Sequence, residues 1–218
     1  MRHRLQSAFL LCNGEVPSRK LARRLARSAD YIVAADGGAN AARQLGIRPQ
    51  TIVGDLDSVR TTTISRFPDA LVVRIRRQDN TDLEKALDFI AAQRVRRVTI
   101  SGITGKRIDF TLANFSVLWR YTSRLDLTIA GDGWMAFPVR GRIVLKARKG
   151  TTVSIVPFGR CEGVTLSGLK YPLRNASLKI GDIGVSNVAV RSAFSVKLRR
   201  GHILVFILDH IPSRVTKP

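Results

Sequence analysis

The sequence predicts an α/β class protein in two domains. An N-terminal three-layer domain built on a parallel sheet is expected over residues 1–135, and an all-β sandwich over 136–218. Three observations predict this. Short apolar runs alternate with helical patterns through the first 130 or so residues, the rhythm of a parallel sheet covered by helices on both faces. After Gly131 the texture becomes strand-like, with a turn about every ten residues. No long helical pattern follows that point.

The apolar runs of the first region are Ala8–Leu11, Tyr31–Ala35, Thr51–Val53, Leu71–Ile75, Val98–Ile100 and Leu127–Ala130. Each has strand length and ends in a polar or glycine turn. Helices are expected between them at Pro17–Ser28, Thr81–Gln93 and Asp109–Tyr121. Apolar residues recur there at helical spacing, as in Leu83, Ala86, Leu87 and Ile90. In the second region Arg142–Ala147 and Thr151–Val156 alternate with period two, and glycine turns at Gly150, Gly159, Gly168 and Gly201 divide the rest into short strands.

Composition narrows the classes. The chain has 218 residues, 44% of them hydrophobic, which is enough for a substantial core. Only 24% are charged, which excludes global disorder. Lys+Arg 37 against Asp+Glu 16 gives a net charge of +21, and 28 of the cations are arginine. Such a surplus attracts polyanions without saying which. Cys12 and Cys161 lie far apart, without metal spacing, so neither a disulfide scaffold nor a zinc protein is expected. The longest apolar run, Ile203 to Leu208, is too short to span a membrane. The N-terminal MRHRLQSAFLLCNG reads as a first strand rather than a signal peptide, and a cytoplasmic location is expected.

Acidic residues are scarce, so their placement is informative. Nine of sixteen fall between Asp36 and Asp109, several at the ends of expected strands, and ligands of open α/β sheets bind outside those carboxyl ends. Asp36 follows a strand directly, and Gly37-Gly38 then permits close backbone approach to a ligand and a helix start; a helix-capping role for Asp36 stands beside that reading. Asp55 and Asp57 share a side if the chain between them is extended. Two carboxylates so near repel unless a cation lies between them, and oxygen ligands suit Mg²⁺. In Thr81-Asp82-Leu83-Glu84-Lys85, Thr81 and Glu84 form a capping box, Asp82 is available as a third metal ligand, and Lys85 can reach a phosphate or pair with Asp82. The loop Gly102-Ile-Thr-Gly105-Lys-Arg107-Ile-Asp109, between a strand and a helix, has the makings of an anion site, with Arg107 gripping phosphate oxygens. His3, His202 and His210 lie outside these loops. Carboxylates plus Lys and Arg at strand ends describe phosphoryl-type transfer.

Together the four segments resemble the thiamine pyrophosphokinase family: Ala35-Asp36-Gly37-Gly38, Gly54-Asp55-Leu56-Asp57-Ser58, Thr81 to Leu87, and Gly102 to Asp109 with Asn114. Gly168 to Leu173 and Ser186-Asn187 are similar to its thiamine-domain motifs. The resemblance implies a nucleotide-binding α/β domain followed by a β-sandwich. It implies Mg²⁺-dependent transfer of pyrophosphate from ATP to thiamine, giving AMP and thiamine diphosphate, at the interface of a homodimer. Carried over residue by residue, Asp55, Asp57 and Asp82 would hold Mg²⁺, and Asp36 would line the same catalytic pocket. Gly37, Gly38, Thr81, Lys85, Gly105, Arg107, Asp109 and Asn114 would contact ATP. Gln78, Tyr171, Ser186 and Asn187 would contact thiamine. The chain departs from the family pattern at Lys106, where a second glycine is usual, at Phe110, where histidine is usual, and at Val188, where an acidic residue often stands.

Two alternatives compete. A pyrophosphokinase acting on a pterin alcohol would share the nucleotide half, but the β region favours thiamine. A nucleic-acid-binding protein would account for the charge. Against it, the arginines are spread along the whole chain, aromatics make up only 6%, and no RNA-binding signature is present. No specific nucleic-acid or membrane partner is therefore expected.

Overall fold

The computed structural model describes residues 6–77, 79–182 and 184–208. Two compact units emerge, Met1–Asp132 and Gly133–Pro218.

The first unit runs β1 (Ser7–Leu11), α1 (Arg19–Arg27), β2 (Tyr31–Ala35), α2 (Gly38–Leu45), β3 (Thr51–Gly54), α3 (Thr61–Ile64), β4 (Leu71–Arg74), α4 (Asp82–Ala92), β5 (Arg97–Ser101), α5 (Ile108–Val117), a 3-10 turn (Leu118–Arg120) and β6 (Asp126–Gly131). Its strands lie in the order β6-β5-β1-β2-β3-β4, and every pair is parallel. The chain winds outward from β1 through β4, then returns to the other side of β1 for β5 and β6. The direction therefore switches between β1 and β5, and ligand crevices of open sheets form at such a switch. Phe9, Leu10, Leu11, Ile52, Ile100, Leu127 and Ile129 are fully buried in the strands.

All six expected strands of this unit are present. The helix expected at Pro17–Ser28 is α1, which buries Leu21, Ala22 and Leu25 and turns its cations outward. Ser18 caps it, its Oγ accepting from Leu21 N, while Asp132 accepts from Ser18 N at 2.6 Å. The expected Asp109–Tyr121 helix tightens into the 3-10 turn after Val117. α2 had only its start signalled in the sequence. Its inward face is Gly38, Ala39, Ala41 and Ala42 with a single large residue, Leu45, at its end, too little to stand out as an apolar stripe.

The second unit contains β7 (Trp134–Val139), β8 (Arg142–Lys146), β9 (Thr152–Pro157), β10 (Cys161–Ser167), β11 (Leu173–Leu178), β12 (Asn187–Val188), β13 (Ala193–Lys197) and β14 (Ile203–Leu208). Its strands pair antiparallel in two orders, β12-β9-β14-β7 and β11-β10-β13-β8. Phe137, Ile155 and Val205 from one sheet share a hydrophobic cluster with Leu145, Val164 and Phe194 from the other. The units divide between Asp132 and Gly133, not at the expected 135/136. The difference is β7, whose Pro138 argues against a strand in sequence; here Pro138 lies next to the strand's end, opposite Leu204. Among the described residues no helix is long and apolar enough to cross a membrane.

Candidate active site

The acidic residues gather at the carboxyl ends of β2 and β3. Asp36, at φ 42°, is buried, and its two oxygens accept from Ser58 N at 3.1 Å and Val59 N at 3.3 Å. It thus clips the loop after β3 to the end of β2. Burial pushes its carboxyl above the ordinary carboxylate range and the Asp82 charge adds to this, while hydrogen bonds from Gly37 and Ser58 oppose it. Oxygens of Asp36, Asp55 and Asp57 lie within 4.8 Å of one another. An extended backbone is not what joins the last two. Leu56 sits at φ 69°, so the chain folds back between them.

Asp82 enters through Lys85. Its side chain is 2% exposed, and the ammonium donates to Asp55 Oδ2 at 2.7 Å and Asp82 Oδ1 at 3.0 Å. Lys85 therefore makes the expected pairing with Asp82 and a second one with Asp55. Burial alone would lower its pKa, but the hydrogen bonds to both carboxylates outweigh burial and raise it. The Lys85 bond holds the Asp55 carboxyl below its usual range. Asp82 is pushed up by burial, against the pull of Lys85 and with the push of Asp55 and Asp57.

The capping box at the start of α4 is complete. Glu84 N donates to Thr81 Oγ1 at 3.3 Å and Thr81 N to Glu84 Oε2 at 3.0 Å. Glu84 Oε1 also pairs with Arg120 at 2.7 Å. The hydroxyl of Thr81, expected at ATP, is engaged with Glu84 as donor and acceptor. Glu84→Ala is therefore expected to cost about 1–2 kcal/mol of stability, the Arg120 pair being discounted for exposure, with little loss of turnover. Urea unfolding beside a turnover assay checks this; a variant of normal stability and no turnover would put Glu84 in the chemistry.

The glycines answer crowding of protein against protein. A Cβ on Gly38 would sit 2.1 Å from Leu11 O, and one on Gly37 2.3 Å from Asn13 Nδ2. α2 thus starts hard against the end of β1. The β5–α5 loop crosses the same end: Gly14 N donates to Gly102 O at 2.6 Å and Glu15 N to Thr104 O at 2.6 Å. Gly105 packs on Glu15, and Lys106, left-handed at φ 54°, donates from Nζ to Asn13 O at 2.7 Å. Asn114 Nδ2 ties the loop to α5 through Ile103 O at 2.9 Å. Arg107 and Asp109 form an exposed ion pair, Nε to Oδ1 at 3.1 Å, with the guanidinium 4.4 Å above the Phe110 ring. Asn13, Gly14 and Glu15 went unnoticed in the sequence; Asn13-Gly14 directly after the first strand was the available signal.

In the second unit, Tyr171, Ser186 and Asn187 come together. Asn187 is buried on β12; its Oδ1 accepts from Tyr171 N at 3.0 Å and Val188 N at 2.8 Å, and its Nδ2 donates to Tyr171 O at 2.8 Å. Ser186 is left-handed at φ 58°, with its N bonded to Ser154 Oγ at 3.2 Å. The Tyr171 ring is 60% exposed, with Lys170 Nζ 5.4 Å from its centroid. Gln78, His3 and His210 lie outside the described residues. His202 is partly buried and its pKa is lowered, by burial first and Arg140 second.

An open parallel sheet with a carboxylate cluster and a buried lysine outside its strand ends defines an α/β enzyme, carrying a second β unit. The thiamin pyrophosphokinase catalytic-domain model matches residues 22–129, and the thiamin pyrophosphokinase vitamin B1 binding-domain model matches 142–203. The chain is 29% identical over 183 residues to the thiamine pyrophosphokinase of Bacillus subtilis, covering 80% of this chain and 85% of that one. It is 26% identical over 187 residues to thiamine pyrophosphokinase 1 of rice, Oryza sativa subsp. japonica, covering 72% and 70%. The solved structure of the Candida albicans thiamin pyrophosphokinase shares the fold, with a TM-score of 0.83 at 17% identity over 94% of this chain and 90% of that one. The chain belongs to the thiamine pyrophosphokinase family, as its motifs imply, and is an enzyme of the thiamine diphosphokinase class.

Proposed function

We propose that this chain transfers the terminal pyrophosphoryl group of ATP to the hydroxyl of thiamine. The hydroxyl oxygen bonds to the β-phosphorus, the bond from that phosphorus to the oxygen it shares with the α-phosphorus breaks, and AMP leaves as the hydroxyl loses its proton. The observation that carries this reading is the gathering of Asp36, Asp55 and Asp57 oxygens at the strand ends, with Asp82 joined through Lys85.

An all-oxygen donor set fits Mg²⁺. Asp55, Asp57 and Asp82 are the residues to hold it. Asp36 has both oxygens engaged by backbone N–H groups, so its part is to position the loop that carries the other two. Bound there, the metal supplies positive charge to the phosphates. The chain's own residues do the rest. Lys85 and Arg107 bind phosphate oxygens, and Arg107 is held ready by Asp109 and Phe110. Arg107→Ala is expected to raise the KM for ATP about tenfold, the worth of one charged contact, and to leave that for thiamine unchanged. Steady-state kinetics with each substrate varied checks it; an equal rise in both constants would remove Arg107 from the nucleotide side.

Several further parts of the reading rest on the same basis. The cluster shared by both sheets supports a sandwich for the second unit. α5 leaves Ile108 and Leu112, one helical turn apart, exposed, which supports a homodimer in which a second copy covers that face and completes the site. A cytoplasmic setting without a nucleic-acid or membrane partner is part of the proposal. The test is AMP release from Mg-ATP with thiamine, run beside a hydroxymethylpterin. Release with the pterin alone would establish the alternative substrate; release with neither would overturn the proposal.

A further inference from the structure

Lys85 holds a position unusual for a residue whose task is to touch an incoming phosphate. Its side chain is 2% exposed, and its ammonium is spent on Asp55 Oδ2 at 2.7 Å and Asp82 Oδ1 at 3.0 Å. These carboxylates are two of the three assigned above to the metal. A divalent ion entering the cluster would compete with the ammonium for the same oxygens. Two cations sharing carboxylates a few ångströms apart repel strongly at a partly buried site. Without any cation, Asp55, Asp57 and Asp82 would repel one another instead.

We propose that Lys85 is a resident counter-ion, its ammonium standing between Asp55 and Asp82 in the place of the divalent cation and leaving when that cation binds. This rests on the metal reading given above. Through its hydrogen bonds to Asp55 and Asp82, the ammonium keeps those carboxylates gathered. Displaced by metal alone, it loses two charged hydrogen bonds and gains none. Displaced by metal that arrives with a polyphosphate, it finds new oxygens on the ligand. Metal and nucleotide therefore bind more tightly together than either does alone, and the coupling is reciprocal. A lysine that merely contacts phosphate has no such effect on metal affinity.

The distinguishing measurement is Mg²⁺ binding in the absence of nucleotide and thiamine, by titration calorimetry on wild type and Lys85→Met. The variant is expected to bind Mg²⁺ at least about tenfold more tightly, a difference near 1.4 kcal/mol. Its melting temperature should rise more with Mg²⁺ than that of wild type. Because a variant with three unneutralised carboxylates is at risk of not folding, a second measurement uses wild type alone. Reductive methylation of Lys85, followed by peptide mass spectrometry, should be slow without Mg²⁺ and accelerate when Mg²⁺ is added. Equal or weaker Mg²⁺ affinity in folded Lys85→Met, or a methylation rate unmoved by saturating Mg²⁺, would overturn the counter-ion role and leave the metal site standing. Absence of Mg²⁺ binding in both proteins would overturn the metal site itself, and this inference with it.

Discussion

Asp57→Asn is expected to lower kcat/KM by at least about a thousandfold, near 4 kcal/mol of transition-state stabilisation, with the fold intact. The substitution keeps size and shape and removes one charge. Asp57 is exposed, and its carboxylate accepts from the neighbouring Ser58 Oγ at 2.9 Å, a bond an amide oxygen can also accept. Nothing in that arrangement makes the charge a structural requirement. What it loses is a third of the Asp55–Asp57–Asp82 set. Asp55→Asn makes a less clean comparison, because it also weakens the 2.7 Å bond to buried Lys85. That variant should lose activity and, in addition, about 1–3 kcal/mol of stability. Thermal melts beside kinetics on both variants separate the two effects. Asp57→Asn within tenfold of wild type would remove Asp57 from the chemistry.

The Asp55–Asp57 pair shows what the sequence could and could not convey. Their proximity was legible from spacing, yet it comes about through a left-handed Leu56 rather than an extended strand. The Thr81–Glu84 box was fully legible because both partners lie within one helical turn. Lys85 was half legible. Its Asp82 partner is three residues away, whereas Asp55 is thirty away and reaches it only through the packing of α4 on β2 and β3. The Gly37-Gly38 pair reads in sequence as close approach to a ligand, whereas what crowds it is the protein itself. That its neighbours are Leu11 O and Asn13 could not be read, since the partner strand is set by sheet order. The six strands of the first unit and β8 and β9 announced themselves by composition and length, whereas β7, with Pro138 near its end, and the two-residue β12 did not. Local chemistry was thus readable, and long-range partners were not.

Asn187 has such long-range partners. The family resemblance implies that Asn187 would contact thiamine. In the structure it makes three hydrogen bonds inside the protein, two of them to the backbone of Tyr171. One N–H of the amide remains beyond these. In the proposed reading, Asn187 serves thiamine by fixing Tyr171, whose exposed ring would offer a face to the cationic thiazolium. Asn187→Ala leaves Tyr171 N and O without these partners and should cost about 2–4 kcal/mol of stability. It should also raise the KM for thiamine by about tenfold or more, and leave that for ATP near its wild-type value. Tyr171→Ala should raise the thiamine KM similarly without destabilising the protein, because the ring is 60% exposed. Tyr171→Phe, which keeps the ring, should stay close to wild type. Urea unfolding and two-substrate kinetics on the three variants decide the matter. Asn187→Ala with normal stability and a raised thiamine KM would mean that the amide meets the substrate itself. Tyr171→Ala with an unchanged thiamine KM would mean that the ring is no platform, and the thiamine side of the site would have to be sought elsewhere on the second unit.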